Sequence, residues 1–229
     1  MAVNFPNSPS NGDTFTSGGI SFTYNSTDGT WASSTSASGI NGLSDVDTST
    51  NAPTTGQLLQ WNGTNWVPYT HTNGITEIDQ WRLTANITTD ESPLSSNLER
   101  VDNSVFSKLG TGMSVSSGIW TFPSTGLYEV VVFLQAYISV TDPAVVITTH
   151  VSTDGGSNWD TYGQAAAGRN SATGNVFLEG SSSNIFNVTN TANVKLQFQA
   201  ASIASGNYIR GDTDWNQTHF TFKRLGDSQ

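Results

Sequence analysis

The run from Leu127 to Val140, LYEVVVFLQAYISV, is apolar on both of its faces, and that narrows the fold more than any other feature. Tyr128, Val130, Val132, Leu134, Ala136, Ile138 and Val140 recur with a period of two, which belongs to a β-strand. The opposite side still carries Leu127, Val131, Phe133 and Tyr137 beside Glu129 and Gln135. A sandwich strand with one face in water would be polar there. The run therefore predicts a central strand covered by a second sheet on one side and by a neighbouring subunit on the other. A loop or N-terminal segment of the same chain is the alternative cover.

Further strands are expected at Trp81–Thr88, Gly118–Phe122, Val145–Val151, Val176–Leu178, Ile185–Val188, Val194–Gln199 and His219–Leu225. Turn chemistry separates them at Pro93, Pro123–Gly126, Asp142-Pro143, Asp154-Gly155-Gly156 and Ala204–Asn207. No stretch sustains a helical period, so the fold class is all-β, with residues 75–229 forming one sandwich or jelly roll. Only 35% of residues are hydrophobic and 11% charged, yet the chain holds 7 Trp, 6 Tyr and 11 Phe. A disordered chain lacks aromatics; this mixture reads as many short strands and many turns.

Two smaller β units precede the sandwich. In residues 1–32, Ile20, Phe22 and Tyr24 alternate with polar residues, bounded by Gly18-Gly19 and Asp28-Gly29. Residues 33–51 are rich in Ser, Thr and Gly and read as a linker or tether. Residues 52–74 hold a second hairpin, with Asn62-Gly63 as its turn. Neither small unit would be stable alone in water.

Net charge is −10, with only 8 Lys and Arg, so a nucleic-acid partner is excluded on electrostatic grounds. The absence of cysteine removes disulfides, zinc ribbons and thiol chemistry together. The N-terminal residues lack the basic and apolar regions of a signal peptide, and no apolar run is long enough for a membrane-spanning helix.

Chemistry has little foothold. His71, His150 and His219 stand apart, and no nucleophile motif surrounds any serine. The chain is expected not to be an enzyme. Asp154 with Asp160, or Asp212 with Asp214, could offer oxygen ligands to Ca²⁺, although solvated loop carboxylates are the simpler reading. Otherwise no cofactor is expected. Trp159, Tyr162, Tyr208 and Trp215 sit among Gly, Asn, Asp and Thr, a mixture suited to binding sugars or to anchoring loops. Ser152–Trp159 resembles the Asp-box of sialidases, a structural turn whose Asp caps backbone N–H groups.

The run SGIWTFPSTGLYEVVVFLQAYI resembles the centre of the C1q/TNF-like family: an aromatic strand, a Pro-x-x-Gly turn, then Tyr and alternating apolar residues. SSSNIFNVTNTANVKLQFQA and the ending HFTFKRLG are similar to later strands of that family. This resemblance implies a jelly roll that forms a threefold trimer with its last strand near the centre. Phe133, Tyr137, Phe220 and Phe222 would then line the subunit interface. NGLSDVDTSTNAPTTGQLLQWNGTNWVP and the opening FPNSPSNGDTFTSGGISFTYNSTDGTW resemble segments of fibre and virion proteins of tailed phages, especially cyanophages. That second resemblance implies a virion protein assembled in the host cytoplasm. Phe5, Trp31, Trp61 and Trp66 would anchor it to other virion proteins, and the head would bind a host surface glycan or protein. The expected role is a trimeric short tail fibre or spike. A capsid decoration or head fibre is the alternative, and a glycan-degrading enzyme a distant third.

Overall fold

The computed structural model describes residues 3–33, 40, 43–50, 52–70, 74–139, 142–169, 174 and 176–229. His71, Val140 and much of the expected linker lie outside them. Two compact units emerge, Met1–Thr72 and Asn73–Gln229. No α-helix occurs among the described residues.

In the first unit, β1 (Thr14–Ser17), β2 (Ile20–Asn25) and β3 (Thr30–Ser33) form an antiparallel sheet in chain order. Gly18 and Gly19 make the β1–β2 turn, both at positive φ, where a side chain would be strained. The sheet builds a small aromatic core. Phe5 stacks on Trp31 at 5.2 Å and meets the edges of Phe15 and Phe22 at 5.6 and 5.1 Å. Separately, β4 (Leu58–Trp61) and β5 (Trp66–Tyr69) form the expected hairpin. Asn62 closes it by accepting from the backbone N–H groups of Thr64 and Asn65. One end of the expected linker joins this hairpin: Trp66 N–H donates to Asp45 C=O, and Asp47 N–H to Trp66 C=O. Residues 45–47 thus run along this hairpin as a third, parallel edge.

The second unit is a two-sheet antiparallel sandwich. One sheet runs β13-β10-β16-β6-β7, with β15 also pairing β10; the other runs β12-β11-β14-β9-β8. The strands of the first are β6 (Ile78–Leu83), β7 (Leu98–Arg100), β10 (Gly126–Ile138), β13 (Val176–Val188), β15 (Tyr208–Ile209) and β16 (His219–Gly226). Those of the second are β8 (Ser114–Ser116), β9 (Ile119–Thr121), β11 (Asp142–Ser152), β12 (Asp160–Arg169) and β14 (Lys195–Ala201). β10 is the strand read from LYEVVVFLQAYISV, and its residues alternate strictly between buried and half-buried. Its inward side chains meet Trp120, Phe122, Phe198, Phe220, Phe222, Leu196 and Ile147 in one core.

Strand alternation corrects one expectation. On β16, His219, Thr221 and Lys223 take the outward face, so Phe220 and Phe222 point inward and are 0% and 1% exposed. They are core residues packed against Trp120, not residues of a subunit interface.

At one edge the two sheets close upon each other through small residues. A Cβ added to Gly180 on β13 would collide with the backbone carbonyl of Ala166 on β12. Tyr162 pins the same edge, its ring 4.5 Å from Phe186 and its hydroxyl donating to Ile185 C=O. Gly180→Val is expected to force β12 and β13 apart. Overpacking against backbone, which cannot swing away as a side chain does, should cost about 1–3 kcal/mol. A thermal midpoint equal to that of the wild type would refute this account of the edge.

Candidate functional site

The outward face of β10 and its neighbours is built from cross-strand rows. Phe133 lies opposite His219 on β16, and their rings stack at 5.0 Å. Tyr137 stacks on Tyr208 of β15 at 4.7 Å and leans on Phe177 of β13 at 5.5 Å. The Arg210 guanidinium covers Phe177 at 4.2 Å and donates to Gln135 Oε1 at 2.6 Å. Farther along the strand, Lys223 donates to Glu129 at 3.0 Å, as does Ser183. These two donors hold the Glu129 carboxyl below its ordinary range. The His219 ring, desolvated by its neighbours, has its pKa lowered, although a bond with Asn216 C=O pulls the other way. Val131, Phe133 and Tyr137 are half-buried within the single chain, while Phe177 and Ile185 are 55% and 46% exposed. The face thus carries rings at Phe133, Tyr137, Tyr208 and Phe177 among polar residues that include Glu129, Gln135, Glu179, Ser181 and Ser183.

The four loop aromatics do not converge. Trp159 is half-buried and packs on the turn at Gly156, and Tyr162 belongs to the β12–β13 edge. Tyr208 lies on the face just described, whereas Trp215 projects from the β15–β16 loop at 70% exposure.

One carboxylate of each candidate pair, Asp154 and Asp212, serves as a turn cap. Asp154 accepts from the Ser152 hydroxyl, the backbone N–H groups of Ser157 and Asn158, and the Asn158 amide. It caps the β11–β12 turn, and these donors, the Asn158 amide foremost, hold its carboxyl far below the usual range. Asp212 caps its own loop by accepting from the N–H groups of Asp214 and Trp215. Calcium needs roughly six to eight oxygens, and among the described residues no cluster of three or more His, Asp or Glu could hold a cation. His150 hydrogen-bonds Gln199 and Thr161 within its sheet.

The expected anchors divide in two. Phe5 and Trp31 are spent on the core of the first sheet. Trp61 and Trp66 form a cross-strand pair at 5.7 Å and remain 46% and 41% exposed.

A second arrangement escaped the sequence reading. Arg82 on β6 is 1% exposed. It donates to Glu99 at 2.7 Å, Asp102 at 2.6 Å, Asn103 at 2.6 Å and Asn216 at 3.4 Å. In the sequence Asn103 and Asn216 look like ordinary turn formers. The signal available in the sequence was Arg82 itself, one of only 8 Lys and Arg in the chain, within the expected strand Trp81–Thr88.

The strand order and the placement of the core permit comparison with known folds. The structure of Eiger TNF from S. frugiperda matches with a TM-score of 0.50 at 13% identity, covering 69% of this chain and 96% of that one. The second unit is a TNF-like jelly roll. Murine APRIL at pH 5.0 gives a TM-score of 0.42 at 13% identity, covering 65% of this chain and 98% of its own. No protein-family model matches the sequence, and no curated protein matches it. At this identity the likeness speaks to the jelly roll alone, and it agrees with the all-β class expected from the strand pattern.

Proposed function

We propose that the chain is a structural protein of a tailed-phage virion, a trimeric short fibre or spike whose jelly-roll head binds a host surface glycan or protein without chemistry. The observation that carries the assembly is the outward face of β10, β13 and β16. Phe177, 55% exposed, lies against Tyr137 at one end and Ile185, 46% exposed, stands opposite Glu129 at the other, with Val131 and Phe133 half-buried on β10 between them. Apolar and aromatic side chains gathered on a water-facing sheet mark an interaction surface. The Glu129–Lys223 ion pair lies within one chain, so a second copy can cover it without separating the two charges. The threefold count rests on the C1q/TNF resemblance, and the virion setting on the phage-like segments of residues 1–69. The exposed Trp61–Trp66 pair supports docking of the first unit to another virion protein.

Sedimentation equilibrium of the whole chain at micromolar concentration is expected to give three times the 24.4 kDa chain mass. The double substitution Phe133→Glu, Tyr137→Glu should yield folded monomers, because six like charges would meet around the axis. A wild-type monomer under these conditions would defeat the assembly. Cryo-electron microscopy of the particle would place the protein on tail or capsid, and a capsid position would replace the fibre with a decoration protein.

A further inference from the structure

The geometry points to a binding site for a neutral saccharide in the recess between the Arg82 amide network and the β15–β16 loop. This names a site for the head's receptor and so rests on the binding role proposed above. The recess measures about 410 Å³ and is lined by Gln80, Asn103, Val105, Phe106, Asp214 and Asn216, with Val101 at its base. That volume lies within the range of about 300–1,000 Å³ typical of small-molecule sites.

The polar wall is pre-set. A guanidinium can only donate, so Arg82 turns the amide oxygens of Asn103 and Asn216 towards itself. Their NH₂ groups are thereby fixed on the other side. Asn103 donates one proton to Asp214 C=O at 3.1 Å, and Asn216 donates one to Gln80 Oε1 at 2.9 Å. Gln80 in turn donates to the Thr221 hydroxyl at 3.0 Å. Each NH₂ carries two protons, which leaves one on each of the three amides for a ligand. The exposed Asp214 carboxylate supplies an acceptor at the rim. Because the buried arginine fixes the rotamers, little side-chain entropy remains to be lost on binding.

The other wall is apolar. Val105, 96% exposed, and Phe106 form it. Neighbouring hydroxyls that both donate and accept, next to an apolar C–H face, are the chemistry of a sugar ring. Charge selects the neutral kind. Arg82 is committed to Glu99 and Asp102, and Asp214 would repel an anion.

The test uses the full chain with a panel of neutral disaccharides built from glucose, galactose, mannose and N-acetylglucosamine. N-acetylneuraminic acid and inorganic phosphate serve as anionic controls. Saturation-transfer NMR and titration of tryptophan fluorescence report binding. At least one neutral disaccharide is expected to bind in the millimolar range or tighter. Val105→Asp and Asp214→Ala, both at exposed lining positions, should each weaken it about tenfold or more while the melting temperature stays put. No binding across the panel, preference for an anionic control, or binding unchanged in both variants would overturn the site. Sedimentation of the same samples reads the trimer independently, so loss of the recess and loss of the assembly are distinguishable.

Discussion

Arg82→Ala is expected to lower the stability of the jelly roll by about 3 kcal/mol, read as a shifted urea midpoint with an unchanged slope. Removing one member of a buried ionic network generally costs about 3–5 kcal/mol, because the partners are left without compensation. Here the lower end applies. The Asp102 side chain is 77% exposed and that of Glu99 30%, so water can reclaim both carboxylates. Asn103 and Asn216 fare worse, since their oxygens are aimed at a guanidinium that no longer exists. Lysine should recover little of the loss, because an ammonium lacks the planar fork that reaches four acceptors at once. By the usual scaling, about 6–12 °C of thermal midpoint should go with it. A loss below about 1 kcal/mol would mean that the network is decoration on a sheet edge secured by other means.

Trp120→Ala should be at least as damaging, at about 3–5 kcal/mol. Trp120 is 0% exposed on β9 and bridges the two sheets. Its ring lies 5.1 Å from Trp81 and Phe222, 5.7 Å from Phe198 and 6.0 Å from Phe220. The surrounding rings are held by their own strands, so the space cannot collapse, and an unfilled cavity adds its cost to the lost transfer energy. The indole Nε1 has no hydrogen-bond partner among the described residues. Trp120→Phe therefore loses ring area without orphaning any acceptor and should cost clearly less than alanine. Equal losses for Phe and Ala in chemical denaturation would show that ring packing is not what this position supplies.

Much of the sandwich was legible because its central strands advertise themselves. The double-sided pattern of Leu127–Val140 located β10 to within two residues at either end, and HFTFKRLG located β16. β12 gave no such signal. DTYGQAAAGR has no apolar alternation, because its small residues serve the close approach to β13 and not a broad hydrophobic face. For the same reason β13 was read as two pieces. The Glu179–Asn184 stretch, outside both pieces, pairs continuously with β10. Phe220 and Phe222 were misassigned because the resemblance located the strand but did not fix which of its faces turns inward. One more residue of register was needed, and only the pairing with β10 provides it. The amide network was invisible because its parts lie as many as 136 positions apart.

The aromatic cluster around Phe5 and the core around Trp120 share no residue. Cohesion is therefore banked in two separate accounts. The first is a handful of rings on a three-stranded ribbon, and the second a full sandwich. A substitution among the rings of the ribbon therefore opens no cavity in the sandwich core, and one at Trp120 opens none in the ribbon.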